Sequence, residues 1–445
     1  MVYAKKSFRL SPPQILVSGF AVVILLGALL LMLPAATRGT PLSFINALFT
    51  ATSAACVTGL VVVDTGTKFT LFGQIVILLL VQIGGLGFTT MATLFALVLR
   101  KRISLRERLV LQEALNQISM EGIVRLIRKV ILYTFIIESA AAALLAARWS
   151  MDMPFARAVY FGVFHSVSFF NNAGFDLMGN YRSMASYADD VIVNAVAIVL
   201  IVLGGLGFIV LADVMEYRRR RRLSLHSKVV LTASFLLIAA GAVVIYLLEF
   251  SNPATLAPLN HAGKALAAFL QSVTPRSGGV TTVDMAGMRQ ATQFFIIILM
   301  FIGASPGSTG GGIKTTTFAI LTGAMIAMIR GRQNIVLFRY RLGQELIFKA
   351  ITMTLLALFL IIFTTMVLSM TEPYPFLTIL FEVTSAFGTV GLSMGLTPHL
   401  TLFGKFIIIL MMFIGRLGPL TLAYALGTKS EKELYRHPEG KITIG

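Results

Sequence analysis

Four short segments each bring a glycine behind small, hydroxyl-bearing or amide residues: Val57-Thr58-Gly59, Asn172-Ala173-Gly174, Gly278-Gly279 and Thr389-Val390-Gly391. None contains an acid–base pair or an activated nucleophile, so what they offer is backbone oxygen. A cation leaving water loses a large hydration energy, which a protein replaces by pointing several oxygen dipoles inward at a fixed spacing. Carbonyls do so without adding net charge. Turning consecutive carbonyls to one side needs backbone angles that a residue with a Cβ reaches poorly, and each segment has a glycine to supply them. The expected chemistry is carbonyl coordination of a cation. The side chains of Asn171, Asn172 and Thr274 are candidate additional oxygens, although asparagine more often caps a helix or turn.

Thr389-Val390-Gly391 is nearest to a potassium-channel filter sequence, and Val57-Thr58-Gly59 is a looser version of it. With one filter glycine per segment, fewer strong equivalent sites are expected than from a five-residue signature. Rejection of sodium or rubidium should be correspondingly weaker.

Two further features carry chemistry. The run from Gly303 to Thr317 holds Gly303, Pro306, Gly307, Gly310, Gly311, Gly312 and Lys314, a composition that cannot sustain a helix. Such a segment can swing between occluding and clearing a cavity with little strain. A phosphate-binding loop is the alternative, but Ile313 separates Gly312 from Lys314 and an apolar span precedes the run where a strand is needed. The second feature is Arg416, inside the last apolar span. A charge at that depth costs at least about 2.5 to 3.5 kcal/mol unless it faces protein or water. It is expected to line an aqueous path; the alternative is pairing with Glu138 or Glu382.

No catalytic constellation accompanies these features. Histidines 165, 226, 261, 399 and 437 lack metal-ligand spacing and are expected in loops or at interfaces, and no serine sits in a nucleophile elbow. No enzyme activity is expected. The lone Cys56 forms no internal disulfide and leaves the redox compartment open.

The elements that would position these residues repeat along the chain. A second glycine motif recurs as Ile83-Gly84-Gly85-Leu86-Gly87, Leu203-Gly204-Gly205-Leu206-Gly207, Ile302-Gly303-Ala304-Ser305-Pro306-Gly307 and Ile414-Gly415-Arg416-Leu417-Gly418. It follows the first glycines at 25, 30, 24 and 24 residues (59 to 84, 174 to 204, 279 to 303, 391 to 415). Gly84, Gly204 and Gly415 fit close helix packing best. Before each first glycine runs an apolar stretch too short to cross a bilayer: Phe44 to Cys56, Ala158 to Phe170, Gly263 to Val273 and Phe376 to Phe387. These suit re-entrant half-helices.

The expected fold is therefore an all-α integral membrane protein of eight transmembrane helices. Four helix–pore-loop–helix repeats (1–109, 110–225, 226–341 and 342–445) would surround a central ion pore with pseudo-four-fold symmetry, the 303–317 segment lying in the third and a cytoplasmic tail ending the fourth. Only the third repeat is expected to break its second span, since long apolar runs such as Leu71 to Leu99 and Val191 to Ala212 look continuous. Non-helical backbone at membrane depth survives only where it is buried in protein or lines a wet cavity.

Composition agrees: 57% of the 445 residues are hydrophobic and 13% charged, far from a soluble domain. The net charge of +18 is not a nucleic-acid footprint, because the basic residues sit in short links between spans, at 5–9, 100–108, 218–222 and 330–341. By the positive-inside rule these links and both termini face the cytoplasm. The arginine run 218–222 then anchors topology and offers a contact to anionic membrane lipid. Met1 to Arg9 leads into a spanning stretch, so the N-terminus is expected to be retained, not cleaved.

With its four helix, pore-loop, helix units and one filter glycine each, the chain resembles the Trk/Ktr/HKT superfamily of potassium transporters over nearly its whole length. In lacking an extra N-terminal helix pair it is most like the KtrB branch, the membrane subunits of bacterial Ktr systems. That resemblance implies potassium uptake across the bacterial inner membrane, with sodium as a candidate coupling ion, as in a symporter, and no cofactor in this chain. It implies a homodimer with a pore in each subunit, on a KtrA-like cytoplasmic ring that binds nucleotide. By position the filter glycines correspond to Gly59, Gly174, Gly279 and Gly391. Sodium-preferring plant relatives have serine at the first of these. The 303–317 segment corresponds to an intramembrane gate loop, and Arg416 to an arginine beneath the filter that raises the barrier to cations. The tail from Lys429 to Gly445 is a candidate dimer contact. A secondary transporter with inverted repeats is the first alternative, but all four units here keep one order and one orientation to the basic links. The second is a membrane enzyme or the cation-translocating subunit of a larger pump.

Overall fold

The computed structural model describes residues 11–87, 90–94, 109–112, 123–332 and 334–426. Lys5, Lys6, Arg9, the link 100–108, His437 and the tail from 429 lie outside the described residues. The chain runs four times through a long helix, a short helix and a second helix. The first pass is α1 (Pro12–Met32), α2 (Phe44–Ala55) and α3 (Leu71–Leu86). The second is α4 (Ile123–Trp149), α5 (Phe155–Phe170), α6 (Val191–Leu206) and α7 (Phe208–Arg220). The third is α8 (Leu225–Glu249), α9 (His261–Val273), α10 (Gln290–Phe301) and α11 (Thr315–Ile329). A small hairpin, β1 (Val336–Leu337) with β2 (Tyr340–Arg341), leads to α12 (Gln344–Thr371), α13 (Phe376–Gly388), α14 (Leu402–Leu417) and α15 (Pro419–Leu426).

The long helices α1, α4, α8 and α12 are apolar and of 21, 27, 25 and 28 residues. A rise of about 1.5 Å per residue carries each across a hydrocarbon core of about 30 Å. Their outer faces stay apolar: Leu25, Leu26, Leu29 and Leu30 on α1 and Leu355, Phe359 and Ile362 on α12 are exposed. Such residues favour lipid, by about 0.3 to 0.6 kcal/mol each near the bilayer centre on insertion scales. Among the described residues these four helices can span by length and composition, and the bent pairs α6–α7 and α14–α15 raise the number to six if each is one span.

The second helices correct the sequence expectation. All four stop at the glycine motif, not only that of the third pass. Gly87, Gly207 and Gly418 have φ of +82°, +92° and +84°, a conformation through which a helix cannot continue. Beyond them α7 turns by 101° from α6, and α15 by 92° from α14. The apolar runs 71–99 and 191–212 are thus not single helices; their hydrophobicity is continuous but their backbone is not.

The N-terminal starts of the second helices are tied to the ends of the long ones. Thr70 donates to Ala35 O at 2.5 Å, Asp190 accepts from Arg148 Nε at 2.6 Å, Glu249 accepts from Arg289 N at 3.0 Å, and Glu372 accepts from Thr401 Oγ1 at 2.5 Å. Three of these groups are carboxylates at a helix N-terminus, where the macrodipole stabilises negative charge. Each second helix also packs on the next short helix: α3 on α5, α6 on α9, α10 on α13, and α14 back on α2. The sequence of contacts closes on itself.

Candidate functional site

Each glycine segment leaves the C-terminal end of a short helix with the same alternation of backbone hand. Val57, Asn172, Ser277 and Thr389 have φ of 57°, 58°, 76° and 47°, and two residues on Gly59, Gly174, Gly279 and Gly391 have φ of 89°, 69°, 67° and 88°. A left-handed conformation costs a non-glycine residue roughly 1 to 2 kcal/mol, so the surroundings must hold it. Buried backbone hydrogen bonds do so: Thr58 N to Ser53 O at 2.7 Å, Ala173 N to Ser168 O at 2.8 Å, Val390 N to Ser385 O at 2.9 Å and, in the third segment, Gly278 N to Thr274 O at 2.7 Å. Alternating hand turns successive carbonyls to a common side.

The four segments meet. A Cβ on Gly59 would overlap Ala173 O, one on Gly174 would lie 2.9 Å from Gly279 Cα, one on Gly279 2.6 Å from Val390 O, and one on Gly391 3.0 Å from Gly59 Cα. The glycines therefore form a ring in the order 59, 174, 279, 391, at a spacing that excludes side chains. A cavity of about 500 Å³ opens on one side, lined by these glycines together with Asp64, Asp176 and Asp284. Burial pushes the half-buried Asp176 carboxyl up to about 6; neighbouring Asp64 adds to this, while the Met178 and Gly179 amides oppose it.

A second cavity of about 180 Å³ lies at the broken ends of α3 and α14, lined by Gly87, Gly310, Gly312, Lys314 and Arg416. Between it and the ring runs the 303–317 segment. It is stitched to α6 through Ser305 N to Gly205 O at 3.0 Å and Thr309 N to Gly204 O at 3.2 Å, and to α7 through Phe208 N to Gly307 O at 2.9 Å. Lys314 Nζ donates to Gly310 O at 2.7 Å. The Ser305 and Thr309 amides and the Lys314 ammonium thus already serve protein carbonyls, which argues against a phosphate cradle. Gly303 packs under Gly311 so closely that a Cβ would overlap the Gly311 carbonyl. Gly311 N donates to Thr389 Oγ1 at 2.9 Å and reaches Ser277 Oγ at 3.3 Å.

Arg416 pairs with neither Glu138 nor Glu382. Its guanidinium donates to the carbonyls of Thr309, Gly84 and, at 3.2 Å, Gly85, so it joins the 303–317 segment to the end of α3. Glu138 accepts from Gln82 and Asn171, and Glu382 accepts from Ser393 and Thr397. Gly84, Gly204 and Gly415 let the second helices touch the carbonyls of Ala55, Phe170 and Phe387 at the ends of the short helices.

Other side chains differ from the sequence expectation. Asn171 turns outward to Gln82, Glu138 and Val167 O. Asn172 faces Phe169 O and Ile201 O, and with its amide nitrogen turned toward them it donates to both, at 3.0 and 3.2 Å, bracing its own segment. His165 is not in a loop: it is fully buried within α5, its ring nitrogens 2.8 Å from Phe161 O and 3.2 Å from Leu177 N. His226 lies on α8 and His261 opens α9, whereas His399 lies in the short turn 397–399. Sequence reasoning missed Ser277. The signal is its position two residues before Gly279, the place that Val57, Asn172 and Thr389 hold before their own glycines.

Comparison with known proteins adds four findings. A family model described as TrkH, cation transport protein, matches residues 9–434. The chain is 46% identical over 440 residues to Ktr system potassium uptake protein B of Bacillus subtilis (strain 168), covering 99% of this chain and 98% of that protein. It is 41% identical over 444 residues to the potassium/sodium uptake protein NtpJ of Enterococcus hirae, covering 98% of each. Its fold is similar to the crystal structure of the potassium transporter TrkH from Vibrio parahaemolyticus, with a TM-score of 0.74 at 19% identity over 96% of this chain and 87% of that one.

Proposed function

This chain belongs to the TrkH family of cation transport proteins, a family of multi-pass membrane transporters rather than enzymes, and from that membership we propose that it takes up potassium through a channel-like pore. The observation that carries the proposal is the ring of four glycines, each with a left-handed residue two positions earlier, a backbone pattern that supports four segments offering carbonyls to one cation. Val57, Thr58, Gly59, Asn172, Ala173, Gly174, Gly278, Gly279, Thr389, Val390 and Gly391, with Ser277 added, form the filter. Coordination there comes from backbone dipoles, so selectivity follows from their number and spacing. Each short helix ends at a filter segment, where its C-terminal dipole favours a cation.

In this proposal eight helices cross the membrane, the broken second helices included, as a pseudo-four-fold arrangement of the repeats 1–109, 110–225, 226–341 and 342–445. The cavity with three aspartates is the outer mouth, and the 180 Å³ cavity is the inner one. The 303–317 segment, seated between filter and inner cavity and held by Arg416, is the gate. Both termini face the cytoplasm, and the subunit works as a homodimer on a nucleotide-binding ring. The Ktr system name of the Bacillus relative supports such a partner. The potassium/sodium name of the Enterococcus relative keeps sodium as a coupling ion.

Rubidium uptake by cells lacking other potassium uptake tests the filter. Gly59→Ser and Gly279→Ser each put a Cβ at a left-handed residue in contact with a neighbouring segment. Each should lower the preference for potassium over sodium about tenfold, a change of about 1.4 kcal/mol. Unchanged preference in both variants means that the filter lies elsewhere. Flux through the purified protein without ATP hydrolysis separates the pore from the subunit of a pump.

A further inference from the structure

The gate segment hydrogen-bonds to the filter through the Gly311 amide, and the chemistry of that contact is specific. Of the four left-handed residues before the glycines, Ser277 and Thr389 carry hydroxyls while Val57 and Asn172 do not. Ser277 and Thr389 are fully buried. Ser277 Oγ donates to Thr389 O at 2.5 Å and lies 3.1 Å from Thr389 Oγ1. Its proton is thereby committed to a filter carbonyl, leaving oxygen lone pairs toward Gly311. The Gly311 amide takes them, at 2.9 Å from Thr389 Oγ1 and 3.3 Å from Ser277 Oγ. Only glycine permits this approach, because a Cβ on Gly311 would lie 2.5 Å from Thr389 Oγ1 and 2.8 Å from Thr389 Cγ2.

A backbone N–H and a bare alkali cation ask the same thing of an oxygen, a lone pair turned toward positive charge. We propose that the hydroxyls of Ser277 and Thr389 form a monovalent-cation site at the inner end of the filter, and that the Gly311 amide occupies it when the gate segment is seated. Ion and loop compete for the same two oxygens, so filling the inner site displaces the gate from inside the pore. The inference rests on the filter and gate assignments above and adds side-chain ligands and a coupling between them.

The test uses the full-length chain in inside-out membrane vesicles, with Thr309→Cys as reporter. Thr309 is fully buried in the seated segment, and the native chain, whose single Cys56 is buried, supplies the blank. A membrane-impermeant thiol reagent is applied in choline and then in saturating rubidium. Rubidium should speed labelling of the reporter about fivefold, the shift one net hydrogen bond supports. Adding Ser277→Ala and Thr389→Val should make labelling fast in both salts, whereas Thr389→Ser should restore the rubidium effect. If the double substitution does not fold, Ser277→Ala alone, which only removes an oxygen, must weaken the rubidium effect. Labelling that ignores rubidium in the reporter protein, or that still follows it without the hydroxyls, overturns the proposal. If the Gly59→Ser and Gly279→Ser variants keep their potassium preference, the filter assignment itself has failed; if they lose it while labelling ignores rubidium, only the shared site has failed.

Discussion

Arg416 joins Thr309, Gly84 and Gly85 with one guanidinium, and all of its partners are backbone carbonyls. Among the described residues no carboxylate pairs with it, so its positive charge would stand uncancelled beside the proposed path of the ion. At an effective dielectric near 20 such a charge is worth about 1 to 2 kcal/mol across the width of a pore. Arg416→Gln should therefore raise rubidium uptake about tenfold, whereas slower uptake would show that its hold on the carbonyls matters more than its charge. At the proposed outer mouth the sign of the pH effect follows from Asp176. Its carboxyl is held up near 6, so it is charged at pH 7.5 and largely protonated at pH 5. Uptake at subsaturating rubidium should fall as pH drops through 6, and Asp176→Asn should flatten that part of the profile. At this scale the glycines were legible in the sequence because their neighbours and spacing recur. The partners of Asn171, Glu138 and Arg416 were not, since each reaches across more than thirty residues of chain to a group that nothing local specifies.

The short helices were legible to within a few residues, because an apolar stretch of 12 to 16 residues before a glycine leaves little freedom in where a helix begins and ends. The breaks in α3, α6 and α14 were not. A glycine that packs, such as Gly204, and one that turns the chain, such as Gly207, are identical in type and only three residues apart; only the backbone distinguishes them. The distinction is testable at Gly204. An added methyl there meets the Phe170 carbonyl at the end of α5, and overpacking of this kind costs about 1 to 3 kcal/mol. Gly204→Ala should lower the melting temperature in detergent by several degrees and shift the second filter segment. A wild-type melting curve would mean that α6 is free to move away from α5.

For the whole molecule, the closed circuit of second helix on next short helix turns four separate stretches of chain into one ring. Its outer faces remain apolar, as lipid requires. The sidedness proposed here can be checked with single cysteines at exposed positions. Asn180→Cys, in the loop after the second glycine segment, should react with an impermeant reagent added outside intact cells. Arg332→Cys, in a basic link, should react only from the cytoplasmic side. The opposite pattern would invert the mouth and the gate. By itself the sequence determined the membrane as solvent, the order of long and short apolar stretches, and the glycine positions, because hydrophobicity and backbone permissiveness are local properties. The tertiary structure alone decided that the four glycines touch, that three more spans break, and that Gly311 reaches the Ser277 and Thr389 hydroxyls. Contacts between residues far apart in the chain depend on how helices pack, and no local pattern encodes that packing.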